Sequence, residues 1–284
     1  MPLNFPFETS VRLLGIATLI CIERARGWRE HKYIFSIDRG FDERVYEVLH
    51  ESVVARDAEI TFRTHGYKGP AHNILMAWRQ GLLAREHEDD WVALIEDDIL
   101  VGADFFEFAS DALALDRSAC GVSACRNQNR NGHPQGDTPS DVYQHVSYQS
   151  LGVALRPNLI ERVIEMLEPA YFENPITFCS EKFPDSVAIP RAHASQDGLI
   201  HRIIRRDLLH MLYPITSRAF HVGWYGHNRA GTPLNDLVHD GWRAKARFIV
   251  DRMTTDQMGQ LADSRFRDID RCELTRARVA LKLV

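Results

Sequence analysis

Near the middle of the chain, Val92-Ala93-Leu94-Ile95-Glu96-Asp97-Asp98-Ile99-Leu100 sets three adjacent carboxylates directly after an apolar run. Such a run reads as an interior strand of a parallel sheet. The acids then fall at its carboxyl end, where open α/β sheets place their ligands. Neighbouring carboxylates repel one another unless positive charge compensates. A hard divalent cation supplies that charge, takes oxygen ligands and bridges to phosphate. The chemistry indicated is metal-assisted reaction of a phosphate-bearing substrate. An exposed acidic turn after a strand is the alternative.

The next residues extend the pattern. Asp104 and Glu107 have capping-box spacing ahead of an apolar helix. The string EDDILVGADFFEF, thirteen residues from Glu96 to Phe108, resembles the metal-binding motif of GT-A fold glycosyltransferases. It is most similar to N-acetylglucosaminyltransferase I and its relatives, with an EDD form of the DxD motif, an apolar pair, a short turn and an aromatic helix. Elsewhere the likeness is looser. The resemblance implies that Asp98 binds the metal while Glu96 and Asp97 support the nucleotide. It also implies manganese, which the sequence itself does not separate from magnesium.

Three more positions carry over by resemblance. Ser36-Ile37-Asp38-Arg39-Gly40 matches a family segment whose Asp contacts the base. Uracil presents an N3–H between two carbonyls, so a fixed carboxylate can read it; a helix-cap or turn role for Asp38 is the alternative. The family has an Arg shortly after its first strand, matched by Arg24, whose guanidinium would pair with phosphate. It also has a His opening the helix before the metal strand, matched by His72, which could equally be a cap or surface residue.

In the second half, Gln149-Ser150-Leu151-Gly152-Val153-Ala154-Leu155 resembles a family segment packed under the sugar. The acid that deprotonates the acceptor follows it in the family. The counterpart here is Ser195-Gln196-Asp197-Gly198-Leu199, where the family Trp is absent and one acid remains. Asp197 is therefore the candidate base, with an ordinary N-cap as the alternative; Glu181 and Asp185 come next. A stretch of Gly, aromatics and two histidines, Ser217 to Asn228, suggests a loop closing over the donor. His221 or His227 would then join the metal, or both are structural.

Bulk properties fit an enzyme. The chain has 284 residues and is 45% hydrophobic, enough for one large α/β domain. A net charge of -5 argues against a nucleic-acid binder. Five scattered cysteines without CxxC pairs fit reduced thiols in a cytosol. The apolar run Leu13 to Ile22 is too short to span a bilayer and lacks a signal's positive flank. Eukaryotic members of the resembled family carry a membrane anchor with no counterpart here, so a cytoplasmic bacterial or phage relative, or a trimmed form, is expected.

The elements that must hold these residues read as alternating strands and helices: strands over 11–22, 32–38, 59–63 and 119–124, helices over 41–54, 69–85, 157–168 and from 196, and a possible strand over 212–220. The segments 126–147 and 171–194 read as irregular, and 244 onward as helical. The order predicts an α/β domain with a mostly parallel central sheet flanked by helices, and the resemblance implies that it is a single GT-A-like, Rossmann-like domain. Its parts would be a nucleotide-sugar half (1–125), an acceptor and catalytic half (126–243) and a helical end (244–284). The expected activity is metal-dependent transfer of a sugar, N-acetylglucosamine by resemblance, from a UDP-sugar to a hydroxyl of a glycan or glycoconjugate, with inversion because one base is found. A sugar nucleotidyltransferase and a carbohydrate-binding protein with a structural cation are the rivals. The former usually has a Gly-rich basic loop after its first strand, which residues 21–27 lack.

Overall fold

A computed structural model describes residues 15, 18–38, 44–63, 67, 70–126, 142–184, 195–215, 217–221 and 277–278. Residues 18–24 form helix α1, not the expected first strand. Its buried residues Thr18, Leu19, Cys21 and Ile22, with Ala25 just beyond it, recur at the three- and four-residue intervals of a helix face. The continuous apolar run from Leu13 hides that period.

The next elements fall where expected. Strand β1 (Ile34–Ile37) and β2 (Glu59–Phe62) pair in parallel, joined by α2 (Arg44–Glu51). This is the crossover that a parallel pair requires. Helix α3 (Pro70–Leu83) opens on proline and packs against both β1 and β3 (Val92–Leu94). At that crossing the Gly81 Cα is so close to Val92 that an added Cβ would lie 2.3 Å from its side chain.

The central sheet corrects the sequence expectation. It is mixed and mostly antiparallel rather than mostly parallel. Its strands are β3, β5 (Gly121–Ser123), β6 (Val142–His145), β7 (Val153–Leu155), β8 (Met211–Pro214) and the two-residue β10 (Ala277–Arg278). They lie in the order β10-β6-β8-β5-β7-β3. The cause of the error is β7. It enters between β3 and β5 and runs antiparallel to both. Strand β6 runs antiparallel to β8, while β5–β8 and β10–β6 are parallel. A three-residue strand leaves no periodic signal, and the apolar run at Val92 reports burial on both faces, not direction.

Both faces of the sheet are covered. Along β7, Ala154 faces one core while Val153 and Leu155 face the other; Leu212 and its neighbours Met211 and Tyr213 divide likewise along β8. The first core packs α1 and α4 (Phe105–Leu115), with β4 (Ile99–Val101). The second packs α3, α5 (Pro157–Glu165) and α8 (Gln196–Arg206). The segment expected to be irregular after Tyr171 holds helices: α6 (Pro169–Glu173) and α7 (Pro175–Lys182) each start at proline. The expected strand at 212–220 is two, β8 and β9 (Ala219–His221), and β9 pairs with β4 in a separate ladder.

Cys21, Cys120, Cys125 and Cys179 are buried, and among the described residues there is no disulfide. Cys272, His227, Asp185 and nearly all of the segment from 244 lie outside the described residues. Among the described residues no helix is long and apolar enough to cross a membrane.

At the sheet end away from the acidic turn, Asp116 ends α4 and ties three elements together. It accepts from Ser118 and from Gln144 Nε2 (2.6 Å), and lies 2.9 Å from His210 Nε2. Burial alone would raise its pKa, but the bonds from Ser118, His210 and Gln144 outweigh it and hold the carboxyl well below the usual range. A depressed acid stabilises the fold above the unfolded-state pKa and loses that contribution as pH falls. Asp116→Ala is therefore expected to lower stability at pH 7 by about 1.5–3 kcal/mol, the range for hydrogen bonds to a charged group. The deficit should shrink below about pH 4, where the unfolded-state carboxyl is protonated. Denaturant titrations at pH 7 and pH 3 measure both.

Candidate functional site

The three acids stand in the turn between β3 and β4. The turn closes with Ile99 N donating to Glu96 O (3.1 Å), and the Thr18 hydroxyl of α1 donates to the Asp97 carbonyl (2.8 Å). The acids therefore sit at the carboxyl end of β3, as the apolar-run argument requires, although the sheet around them has the other sense. Glu96 and Asp98 are half-buried and Asp97 is exposed. Burial and then the Asp98 charge push the Glu96 carboxyl up to about 7. Asp97 is pushed up to about 6 by burial of its carboxyl and then by the Asp98 charge, though as a whole residue it keeps more contact with water than its neighbours. In both, burial is the larger cause and repulsion between the neighbouring acids the smaller.

Across the turn lies β9. Its register with β4 sets Ile99 opposite His221, and His221 Nε2 lies 3.1 Å from Asp98 Oδ2. What fixes β9 there is a pair that sequence reasoning missed. Arg218 Nε donates to Asp104 Oδ2 at 3.0 Å, both side chains fully buried, with the guanidinium 4.4 Å from the Phe108 ring centroid. Asp104 thus serves Arg218 rather than capping α4, and Glu107 pairs with Arg26. The expected capping box does not form.

The third component comes from α8. Ser195, not Asp197, is its N-cap and accepts from Gly198 N. This removes the ordinary N-cap alternative for Asp197. Asp197 in the first turn points inward: Ser150 Oγ donates to its Oδ2 (3.4 Å), and Oδ1 is buried without a hydrogen-bond partner. The helix start favours its anion, yet burial wins and pushes the carboxyl up to about 6. Glu96 and Asp197 feel each other's charge, and Tyr148 and Tyr171 are raised partly by Asp197. Base candidate and acidic turn thus share one neighbourhood. The alternative base Glu181 lies in α7 on the solvent side.

The proposed base-reading residues form a second cluster. Asp38 follows β1 and Arg63 follows β2, at the carboxyl end of the parallel pair. His72 lies in the first turn of α3. Burial and then the Arg63 charge lower the His72 pKa, against a smaller effect of Asp38. Arg63, which sequence reasoning missed, donates to Asn73 Oδ1 (2.9 Å), Ser36 Oγ (2.8 Å) and Gln80 Oε1 (2.9 Å). His72 Nδ1 is buried without a partner, its ring edge-on to Tyr67 and Phe172. Helix α6 links the clusters, because Phe172 packs on His72 while the adjacent Tyr171 lies near Asp197. Arg24 stands elsewhere in the fold than expected. It ends helix α1, exposed, rather than following a strand.

Asp98 and His221 are oxygen and nitrogen donors of the kinds that ligate divalent cations. Among the described residues no three His, Cys, Asp or Glu side chains are placed to enclose an ion. Asp98 and His221 supply two donors, and magnesium-type sites often use one or two carboxylates plus substrate phosphates. No protein-family model matches the chain, and no curated protein matches its sequence.

Proposed function

We propose that this chain is a metal-dependent glycosyltransferase of the GT-A type. It moves a sugar, N-acetylglucosamine by resemblance, from a UDP-sugar to a hydroxyl of a carbohydrate-type acceptor, with inversion. The single observation that supports it best is the convergence of three elements: the acidic turn after β3, His221 on β9 against Asp98, and the buried carboxylate of Asp197 behind them.

The roles follow from chemistry. Asp98, with His221, holds manganese or magnesium, which when bound neutralises charge on the departing diphosphate. Asp38 reads the uracil imide, with His72 beside it. Asp197 is mostly ionised at neutral pH and takes the acceptor proton. Glu96 belongs with Asp197 as much as with the nucleotide. The chain forms one domain, its first 125 residues serving the nucleotide sugar.

The test is product analysis on a panel of nucleotide sugars with manganese. UDP released along with a glycosylated acceptor supports the proposal. Pyrophosphate release would instead indicate a nucleotidyltransferase, and sugar binding indifferent to nucleotide would indicate a binding protein.

A further inference from the structure

We propose that Ser150 is a positioning residue for Asp197: its hydroxyl ties down Oδ2 and leaves Oδ1 as the oxygen presented to the acceptor hydroxyl. This rests on the transferase reading, in which Asp197 removes the acceptor proton.

The local chain explains why a serine stands there. Ser150 is buried in the segment before β7. The turn that follows needs Gly152 at φ 64, where an added Cβ would come within 3.1 Å of Ala219. Gly152 N bonds back to Ser150 O (3.0 Å) and Gly152 O accepts from Ala124 N (2.7 Å), so the segment is pinned at the site by backbone alone. The hydroxyl is then delivered between two carboxylates. It donates its one proton to Asp197 Oδ2 (3.4 Å), with the Glu96 carboxylate as the competing acceptor beside it.

A carboxylate has room for about four hydrogen bonds, and burying it with one is costly. Among the described residues Asp197 has that one donor, and its other oxygen is buried with none. An unsatisfied acceptor beside the acidic turn fits an incoming O–H group. The groups that act electrostatically with Asp197 are Glu96 from the β3–β4 turn, Tyr148 from its own segment, Tyr171 of α6 and Tyr213 of β8. Each is neutral or anionic, so the Ser150 hydroxyl is the side chain that joins the helix start in favouring the Asp197 anion against burial.

The test uses the full chain with Ser150→Ala and Ser150→Thr. Ala should lower kcat at pH 7 roughly 10–100-fold, the equivalent of one hydrogen bond to a charged group. It should leave donor KM unchanged and move the acid limb of the pH profile to higher pH; Thr, which keeps the hydroxyl, should restore most of the loss. A second readout needs no turnover. In protein labelled at the Asp carboxyl carbon, the NMR resonance absent from Asp197→Asn should titrate at higher pH in Ser150→Ala. An unchanged midpoint overturns the proposal, as does a raised midpoint with unaltered kcat. If the parent transfers no sugar from any donor, the transferase reading fails and takes the acceptor role with it. The NMR midpoint then still reports whether Ser150 holds Asp197.

Discussion

Asp197→Asn is expected to cut sugar transfer by roughly 10²–10⁴-fold, the span for losing a general base, while leaving UDP-sugar affinity nearly unchanged. A sugar hydroxyl is a poor nucleophile until a proton acceptor lies within hydrogen-bond reach. Asp197 is a buried carboxylate with one oxygen unshared, beside the acidic turn. Its pKa near 6 makes the parent's transfer fall as pH drops through that value. The same shift has a stability consequence of opposite sign to activity. An acid whose folded pKa is raised weakens the fold above its unfolded pKa, so Asp197→Asn should melt at or above the parent's temperature at neutral pH. Slow donor hydrolysis by water should persist. Full transfer activity in this variant would move the base elsewhere, with Glu181 and Asp185 next to test.

Asp98→Asn is expected to remove metal-dependent UDP binding and turnover with the fold intact. The substitution keeps shape and removes one anionic ligand, and losing metal stabilisation of the leaving group is worth several kcal/mol. At 1.36 kcal/mol per tenfold, the loss is on the order of 10²–10⁴-fold in rate. The fold should tolerate it, because the Asp98–His221 contact is partly exposed, at 20% and 35% side-chain exposure, and such pairs contribute little to stability. Calorimetric titration of UDP in the presence of manganese separates the cases. Parent-like binding by the variant would show that Asp98 is not a ligand and that the turn is structural.

What could be read from the sequence was what is local. The acidic turn, the helix opened by Pro70 and the aromatic helix after Asp104 are each one short continuous stretch of chain, and each declared itself by composition and period. Arg218 illustrates the opposite case. Its partner Asp104 is 114 positions away, and no spacing rule joins a lone arginine in one loop to a helix-start acid in another. Ser150 was visible only as part of a resembling segment, because its role depends on α8 bringing Asp197 to the segment before β7, 47 positions back in the chain. The inserted strand β7 escaped for the same reason, being three residues long and antiparallel to neighbours on both sides. The first helix was misread because a run of apolar residues satisfies a buried strand and a buried helix alike. His221 reached Asp98 through the β4–β9 register, which the sequence did not reveal; His227, its equal in the sequence, lies outside the described residues.

The central claim is that this site reads uridine and needs a divalent cation to do so. Melting temperature with UDP, GDP or ADP, each with and without manganese, tests it most directly. UDP with manganese at about 100 times its dissociation constant should add roughly 2.7 kcal/mol of stability, with smaller shifts for GDP and ADP and for UDP after chelation. Equal shifts for all three nucleotides, or a UDP shift indifferent to manganese, would contradict the account.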